Sequence, residues 1–246
     1  MSLSGSRWVR PSSAAEAAGL AAAGATLFGG GALLMSSAFA AAPGTVVVDL
    51  DALRLDYLEL PEIGAQVRLE DLLASAAVRR NWPAIWAAAA QIASPNVRRL
   101  ASVGGTVAAA LPGSDLLVAL CASRARVHLA RSDGTGRTLP VSGYLTARPP
   151  GVITGLHLGP PARGAYRRLG GRPVPAPAVV TVAAVEHDGD IDVWAGGIGS
   201  VPQPLRIRGR FREVSCAGDA AWPAAYRRRV LDALCADLLA SLAAPA

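Results

Sequence analysis

Two glycine clusters, Gly29-Gly30-Gly31 and Gly104-Gly105, each follow a short apolar run and precede small apolar residues. Glycine has no Cβ, so it reaches positive φ without strain and lets a main chain approach a neighbour closely. A tight turn between an apolar strand and a helix is the simplest fold for such a stretch, and a helix N-terminus of this kind offers backbone N–H groups to an anion. Neither cluster is a G-x-G-x-x-G fingerprint followed by a suitable acid. Taken alone, each therefore reads as an ordinary tight turn, in a chain that holds 26 glycines.

The segments around the clusters alternate between helix and strand signals. Residues 12–24 carry an N-cap candidate, an acid near the first turn, Ala and Leu, and a closing Gly, which predicts a short helix. Residues 25–28 read as a brief strand, 29–31 as a loop and 32–35 as the start of a further helical stretch. Residues 45–50 are β-branched and apolar enough for a buried strand, and 56–67 suit a hairpin. Two helices are expected over 69–80 and 82–92, divided near Asn81-Trp82-Pro83 because proline is tolerated in a first helical turn. After the turn at Gly104-Gly105 come a helix from 116 and a strand over 125–130. Asp133-Gly134 is a hairpin signal, and 152–158 forms another strand. Pro160-Pro161 is the expected domain boundary. Beyond it, 179–186 and 191–198 form an antiparallel hairpin about Asp188-Gly189, 205–214 a third strand, and 222–242 an amphipathic closing helix.

With 246 residues the chain can bury a core without disulfides or metal. Its formal net charge is +6, yet every basic residue is Arg and the short Arg runs are scattered. That pattern argues for solvated faces or partner contacts and against a nucleic-acid site. Cys121, Cys216 and Cys235 lack any CxxC-type spacing, and His128, His157 and His187 form no ligand or triad pattern, so no metal site and no iron–sulfur ligation is expected. The uncharged stretch 17–42 ends in Ala38-Phe39-Ala40 like a signal-peptide cleavage site. Glu16 before it and the three glycines within it interrupt that pattern, and the expectation is a cytoplasmic protein with no membrane span.

The residues flanking the two clusters resemble a known family. Arg10-Pro11-Ser12-Ser13 followed by Leu27-Phe28-Gly29-Gly30-Gly31-Ala32-Leu33-Leu34 resembles the first FAD motif, AGGTDLL, of the flavin-binding (medium) subunits of molybdenum hydroxylases, the xanthine dehydrogenase and carbon monoxide dehydrogenase flavoproteins. The stretch from Ile92 to Arg98, Ala101-Ser102-Val103-Gly104-Gly105-Thr106-Val107-Ala108 and Pro112-Gly113-Ser114-Asp115 resembles the second, IRN-x-ATIGGN-x-A-x-x-x-P-x-SD. Order and spacing agree. Ile63-Gly64-Ala65-Gln66-Val67-Arg68-Leu69 stands in place of the family's IGA-x-VTL, Tyr166-Arg167-Arg168-Leu169 through Arg172 in place of its basic entry to the last domain, and Ala225-Tyr226-Arg227-Arg228 echoes its closing helix.

The resemblance implies an α+β protein, with a two-subdomain FAD-binding domain of the vanillyl-alcohol oxidase type over 1–162 and a small C-terminal domain of antiparallel sheet plus helices over 163–246. It implies that backbone at Phe28, Gly29, Gly30, Gly31, Ala32, Leu33 and Leu34, and at Ser102, Val103, Gly104, Gly105 and Thr106, holds the FAD pyrophosphate. Asp115 would hydrogen-bond FAD, while Ile92 and Ile153 would lie near it. Without the motif, Asp115 reads as a helix N-terminal residue beside Ser114.

No protein residue is expected to be catalytic, because the flavin does the redox work. The implied partners are an iron–sulfur small subunit and a molybdenum-cofactor large subunit on separate chains, with NAD or another acceptor. Four positions depart from the family: Gly31-Ala32 replace a polar Thr-Asp pair, Thr106 replaces Asn, and Gly151 stands where Glu is common. Each lost neutral hydrogen bond costs about 0.5–1.5 kcal/mol. Two alternatives stay open, a non-catalytic scaffold of the same fold that has lost FAD and a free-standing flavin oxidoreductase.

Overall fold

A computed structural model describes residues 5–36, 44–170, 178–207 and 210–243. Ala38-Phe39-Ala40 and Arg172 lie outside the described residues. The chain divides into two compact units that interleave along the sequence. One takes Met1–Asp71, Pro95–Ala109 and Arg126–His157, the other Leu72–Ser94, Ala110–Ala125 and Leu158–Ala246.

The first unit holds two sheets. β1 (Arg7–Val9), β2 (Thr26–Phe28) and β3 (Val46–Asp49) form a parallel sheet in the order β1-β3-β2. Parallel strands need a crossover, and α1 (Ala14–Ala22) lies in the connection from β1 to β2, the two strands that flank β3. Its N-terminus is closed from both directions, with Ser13 Oγ accepting from Glu16 N at 3.1 Å and Glu16 accepting from the Ser12 hydroxyl and amide. Ala17 and Ala18 of α1 pack with Val48, Leu50 and Val152 in a small apolar cluster.

The second sheet is antiparallel, with β4 (Leu58–Glu59), β5 (Glu62–Gly64), β6 (Arg126–Ala130), β7 (Gly136–Pro140) and β8 (Val152–His157) in the order β4-β5-β8-β6-β7. The hairpin expected over 56–67 is present as β4 and β5.

In the second unit, β9 (Gly164–Gly170), β10 (Ala178–His187), β11 (Asp190–Gly196), β12 (Gln203–Ile207) and β13 (Arg210–Phe211) form a five-stranded antiparallel meander. The remaining helices are α2 (Leu69–Ala74), α3 (Ala76–Asn81), α4 (Pro83–Ala90), α5 (Pro95–Arg98), α6 (Val103–Ala109), α7 (Asp115–Ala122), α8 (Val141–Ala147) and α9 (Ala224–Ala243). α7 and α9 pack on β10, whose residues are buried almost end to end; that explains its continuous apolar run. Leu231 and Leu238, two turns apart, are the buried seam of α9.

Four expectations are corrected. The helix over 69–80 is broken at Ser75, whose hydroxyl accepts from Val78 N at 3.3 Å and starts a new helix. The strand over 205–214 is two strands, β12 and β13, paired antiparallel. Residues 32–35 make a single turn closed by Met35 N donating to Gly31 O at 2.8 Å, not the start of a helix. Gly104-Gly105 is no turn: both residues sit in the first turn of α6. Two elements carry weak signals. β9 is rich in Arg and acquires its strand form by pairing with β10, and α8 contains Val, Gly and Thr but buries Val141, Tyr144 and Leu145 at helical spacing.

Candidate cofactor site

The first glycine cluster leaves β2 at the end of the parallel sheet. The Phe28 ring meets Trp8 edge-on at 5.0 Å, which anchors the strand end. Gly31 has φ +70°, where a side chain is strained, and a Cβ there would crowd the Phe28 ring at 2.5 Å. The chain then makes its one turn through Ala32, Leu33 and Leu34, with Leu33 exposed.

The second cluster is built differently. Residues 65–69 run alongside 101–104, with Leu69 N donating to Ala101 O at 3.0 Å, Val103 N to Val67 O at 2.9 Å and Gly104 N to Ala65 O at 2.9 Å. Gly105 N donates to Ser102 Oγ at 3.1 Å and Thr106 N to Ser102 O at 2.9 Å. Every N–H from Val103 to Thr106 thus has a protein partner. Only the bond from Gly105 ends on a side-chain hydroxyl, which can rotate away in favour of a stronger acceptor. Glycine is required at 104 for packing, since a Cβ there would stand 2.6 Å from that of Ala65.

The two clusters converge within the first unit. A Cβ on Gly29 would lie 3.3 Å from both Gln66 Oε1 and Ser102 Oγ, and one on Gly30 would collide with the Leu100 carbonyl and the Arg68 guanidinium. Phe28 to Leu34 and Ser102 to Thr106 are therefore neighbours, as the motif order implies. Gln66 is buried, and its Oε1 has no hydrogen-bond partner among the described residues. A buried polar atom without a partner costs about 1–3 kcal/mol, and its position beside Gly29 and Ser102 suits a ligand that brings polar atoms there. With the Arg68 guanidinium beside Gly30 and the Gln66 amide able to turn its NH2 to the same place, the residues present fit a polar, anionic group such as the FAD pyrophosphate.

Gln66 and Arg68 were not among the residues singled out from the sequence. Their signal in the sequence is their place directly after the Ile63-Gly64-Ala65 motif. Ile153 lies on β8 in the same unit, buried and opposite Leu129.

Ile92 and Asp115 belong to the second unit. Ile92 N donates to Ala89 O at 3.2 Å, just past α4. Asp115 opens α7 after Ser114, which makes no side-chain capping bond. Its buried carboxylate accepts from the Tyr166 hydroxyl and lies 3.3 Å from Arg168 Nε, tying α7 to β9. Burial pushes the Asp115 carboxyl up, the hydrogen bond from Tyr166 and the Arg168 charge pull it down, and the net direction is upward. Burial and the adjacent Asp115 push the Tyr166 phenol up as well.

A further cluster on the antiparallel sheet escaped the sequence reading because its members are far apart in the chain. Glu62 bridges two imidazoles, at 2.9 Å from His128 Nε2 and 2.7 Å from His157 Nδ1, and His128 Nδ1 lies 2.9 Å from Thr138 Oγ1. Among the described residues, no group of three or more His, Cys, Asp or Glu side chains is placed to hold a metal ion, and no helix is long and apolar enough to cross a membrane.

Residues 3–155 match the family model of the FAD binding domain in molybdopterin dehydrogenase. The chain belongs to this family. Solved structures share the fold over nearly the full length. Carbon monoxide dehydrogenase from Hydrogenophaga pseudoflava superposes with a TM-score of 0.80 at 22% identity, covering 95% of each chain. Carbon monoxide dehydrogenase from Oligotropha carboxidovorans gives 0.81 at 22%, covering 97% of this chain and 98% of that one. Quinoline 2-oxidoreductase from Pseudomonas putida 86 gives 0.80 at 17%, covering 98% of each. No curated protein sequence matches the chain. The expected α+β architecture and the assignment to the molybdenum hydroxylase flavoproteins, an oxidoreductase family with FAD as its cofactor, are thereby shown.

Proposed function

We propose that this chain is the electron-transferring FAD subunit of a cytoplasmic molybdenum hydroxylase, with a domain division near residue 162. The observation that carries the reading is the convergence of Gly29-Gly30, Ser102 and the unpartnered Gln66 Oε1 in one unit of a family FAD domain. The complex would take electrons from iron–sulfur clusters on a small partner chain, after hydroxylation at a molybdenum cofactor on a large one, and hand them through FAD to NAD or another acceptor.

This chain's own part is to bind and orient. Backbone at Phe28 to Leu34, with Ser102 Oγ and the Gly105 N–H, would hold the pyrophosphate, which brings two negative charges to a region where the local donors are fixed in advance. Val103, Gly104 and Thr106 act by shape, because their N–H groups are already paired. Ile153 would give the flavin an apolar neighbour in the first unit.

The full chain, purified and incubated with FAD, is expected to show yellow flavin absorbance that survives desalting, and to co-purify with an iron–sulfur and a molybdenum subunit when the three are co-expressed. A colourless chain that still assembles with both partners would overturn the FAD assignment in favour of a scaffold subunit. Turnover of a small substrate by the chain alone would overturn the need for partners.

A further inference from the structure

Resting on the FAD assignment, we propose that Gln66 and Arg68 bind the FAD pyrophosphate and supply the side-chain contacts that Gly31-Ala32 no longer make.

Gln66 sits in a turn closed by Val67 N donating to Gly64 O at 3.2 Å, and Arg68, two residues on, pairs with Ser102 through an antiparallel bridge. Both side chains reach the first glycine cluster: the Gln66 amide flanks Gly29 and the Arg68 guanidinium flanks Gly30.

Each group carries unused capacity. Turning the Gln66 amide over exchanges oxygen for NH2 at the same place, so the position can donate to an anionic oxygen. The Arg68 guanidinium is braced by Nη1 donating to Leu100 O at 2.9 Å and by Nη2 at 3.4 Å from Asp51 Oδ1. Those two bonds use two of its five N–H donors. Asp51 is mostly exposed and the pair is long, so solvent screens it and the positive charge is poorly neutralised locally. A planar, permanently charged fork held beside a glycine main chain is the side chain best suited to a diphosphate.

The family pattern IGA-x-VTL has an unspecified residue where this chain has Gln66 and a Thr where it has Arg68. This chain lacks the polar pair after its first glycines and carries an amide and a cation directly across from them. The contacts have moved from the first glycine loop to residues 66–68 beside it.

The test is equilibrium binding by the apo full chain, read as flavin fluorescence quenching, with FAD and riboflavin as probes; riboflavin carries no phosphate. Arg68→Gln is expected to weaken FAD binding about ten- to a hundredfold, the range of a lost charge-assisted contact of about 1.5–3 kcal/mol, and to flatten its dependence on salt. Gln66→Leu is expected to weaken it about tenfold, and Arg68→Lys, which keeps the charge and loses the fork, less than Arg68→Gln. Riboflavin binding stays at the wild-type value in all three.

Equal FAD affinity in wild type, Arg68→Gln and Gln66→Leu would overturn the proposal while leaving the FAD assignment standing. Equal loss of FAD and riboflavin, with a lowered melting temperature, would assign the two residues to support of the local fold and overturn it too. Wild-type chain that binds neither probe would defeat the FAD assignment itself.

Discussion

The two glycine clusters look alike in sequence and are opposites in structure. Gly29-Gly30-Gly31 ends a strand of the parallel sheet and enters a single turn, with one residue at positive φ. Gly104-Gly105 begins a helix whose first four N–H groups are all bonded within the protein. Glycine serves conformation at 31 and close packing at 104. A Gly run between apolar residues therefore marks close approach without saying what approaches. In the first cluster Gly29 and Gly30 lie beside the Gln66 amide, the Ser102 hydroxyl, the Arg68 guanidinium and the Leu100 carbonyl, whereas Gly104 lies against Ala65.

Substituting the packing glycine should cost the most stability. Gly104→Val places a β-branched side chain against Ala65 and should lower stability by about 1–3 kcal/mol, a typical cost of overpacking. The drop would be read as a lower melting temperature of the flavin-free chain. A variant that melts like wild type would mean that α6 can shift away from residues 65–69, and the contrast between the clusters would fail.

The first cluster should respond in the other direction, in binding more than in folding. A methyl at Gly29 would lie 3.3 Å from Gln66 Oε1 and Ser102 Oγ, the ends of side chains that can shift. Gly29→Ala is expected to weaken FAD binding about tenfold, equivalent to 1.4 kcal/mol, with a smaller change in melting temperature than Gly104→Val. Reversal of that order would mean that the first cluster also serves chiefly to pack.

Much of this was legible beforehand. Ser13 and Glu16 announced α1, Pro83 announced the first turn of α4, and Asp188-Gly189 announced the β10–β11 hairpin. Each is a local signal whose cause lies within a few residues. Where tertiary pairing decided, the sequence misled. β9 is a strand because β10 holds it, and Gly104-Gly105 became helical because Ser102 and the carbonyls of Ala65 and Val67 satisfied its first N–H groups. The site divided in the same way. The glycine positions were readable as motifs. The polar pair Gln66 and Arg68 was not, because its meaning depends on a segment more than thirty positions away coming alongside.

Ser102 is the hinge between the two behaviours, as N-terminal cap of α6 and as a hydroxyl beside Gly29. Ser102→Ala should cost about 1 kcal/mol in stability, the usual loss of a cap, and a further few-fold in FAD affinity. A stability loss with unaltered FAD affinity would return Ser102 wholly to the helix.

The smallest effect concerns acid. Glu62 lies on β5, the strand that leads into residues 65–69 and so supports α6. Burial pushes its carboxyl up, but the hydrogen bonds and charges of His157 and His128 outweigh that and hold it below the ordinary range. A carboxyl depressed in the folded state contributes stability that is present above its unfolded value, about 4.3, and is lost as pH falls through the folded one. Because Glu62 is substantially exposed, the contribution is discounted to under about 1 kcal/mol. Wild type should melt slightly higher than Glu62→Gln at pH 6, and the two curves should converge as the pH is lowered below 4.3. The parallel sheet that carries the first cluster has no share in this pairing, so protection against amide exchange, taken relative to the intrinsic rate at each pH, should fall near Gly104 in acid before it falls near Gly30. A simultaneous fall would show that the two clusters loosen as one body, and that the difference in how they are built has no consequence for how they move.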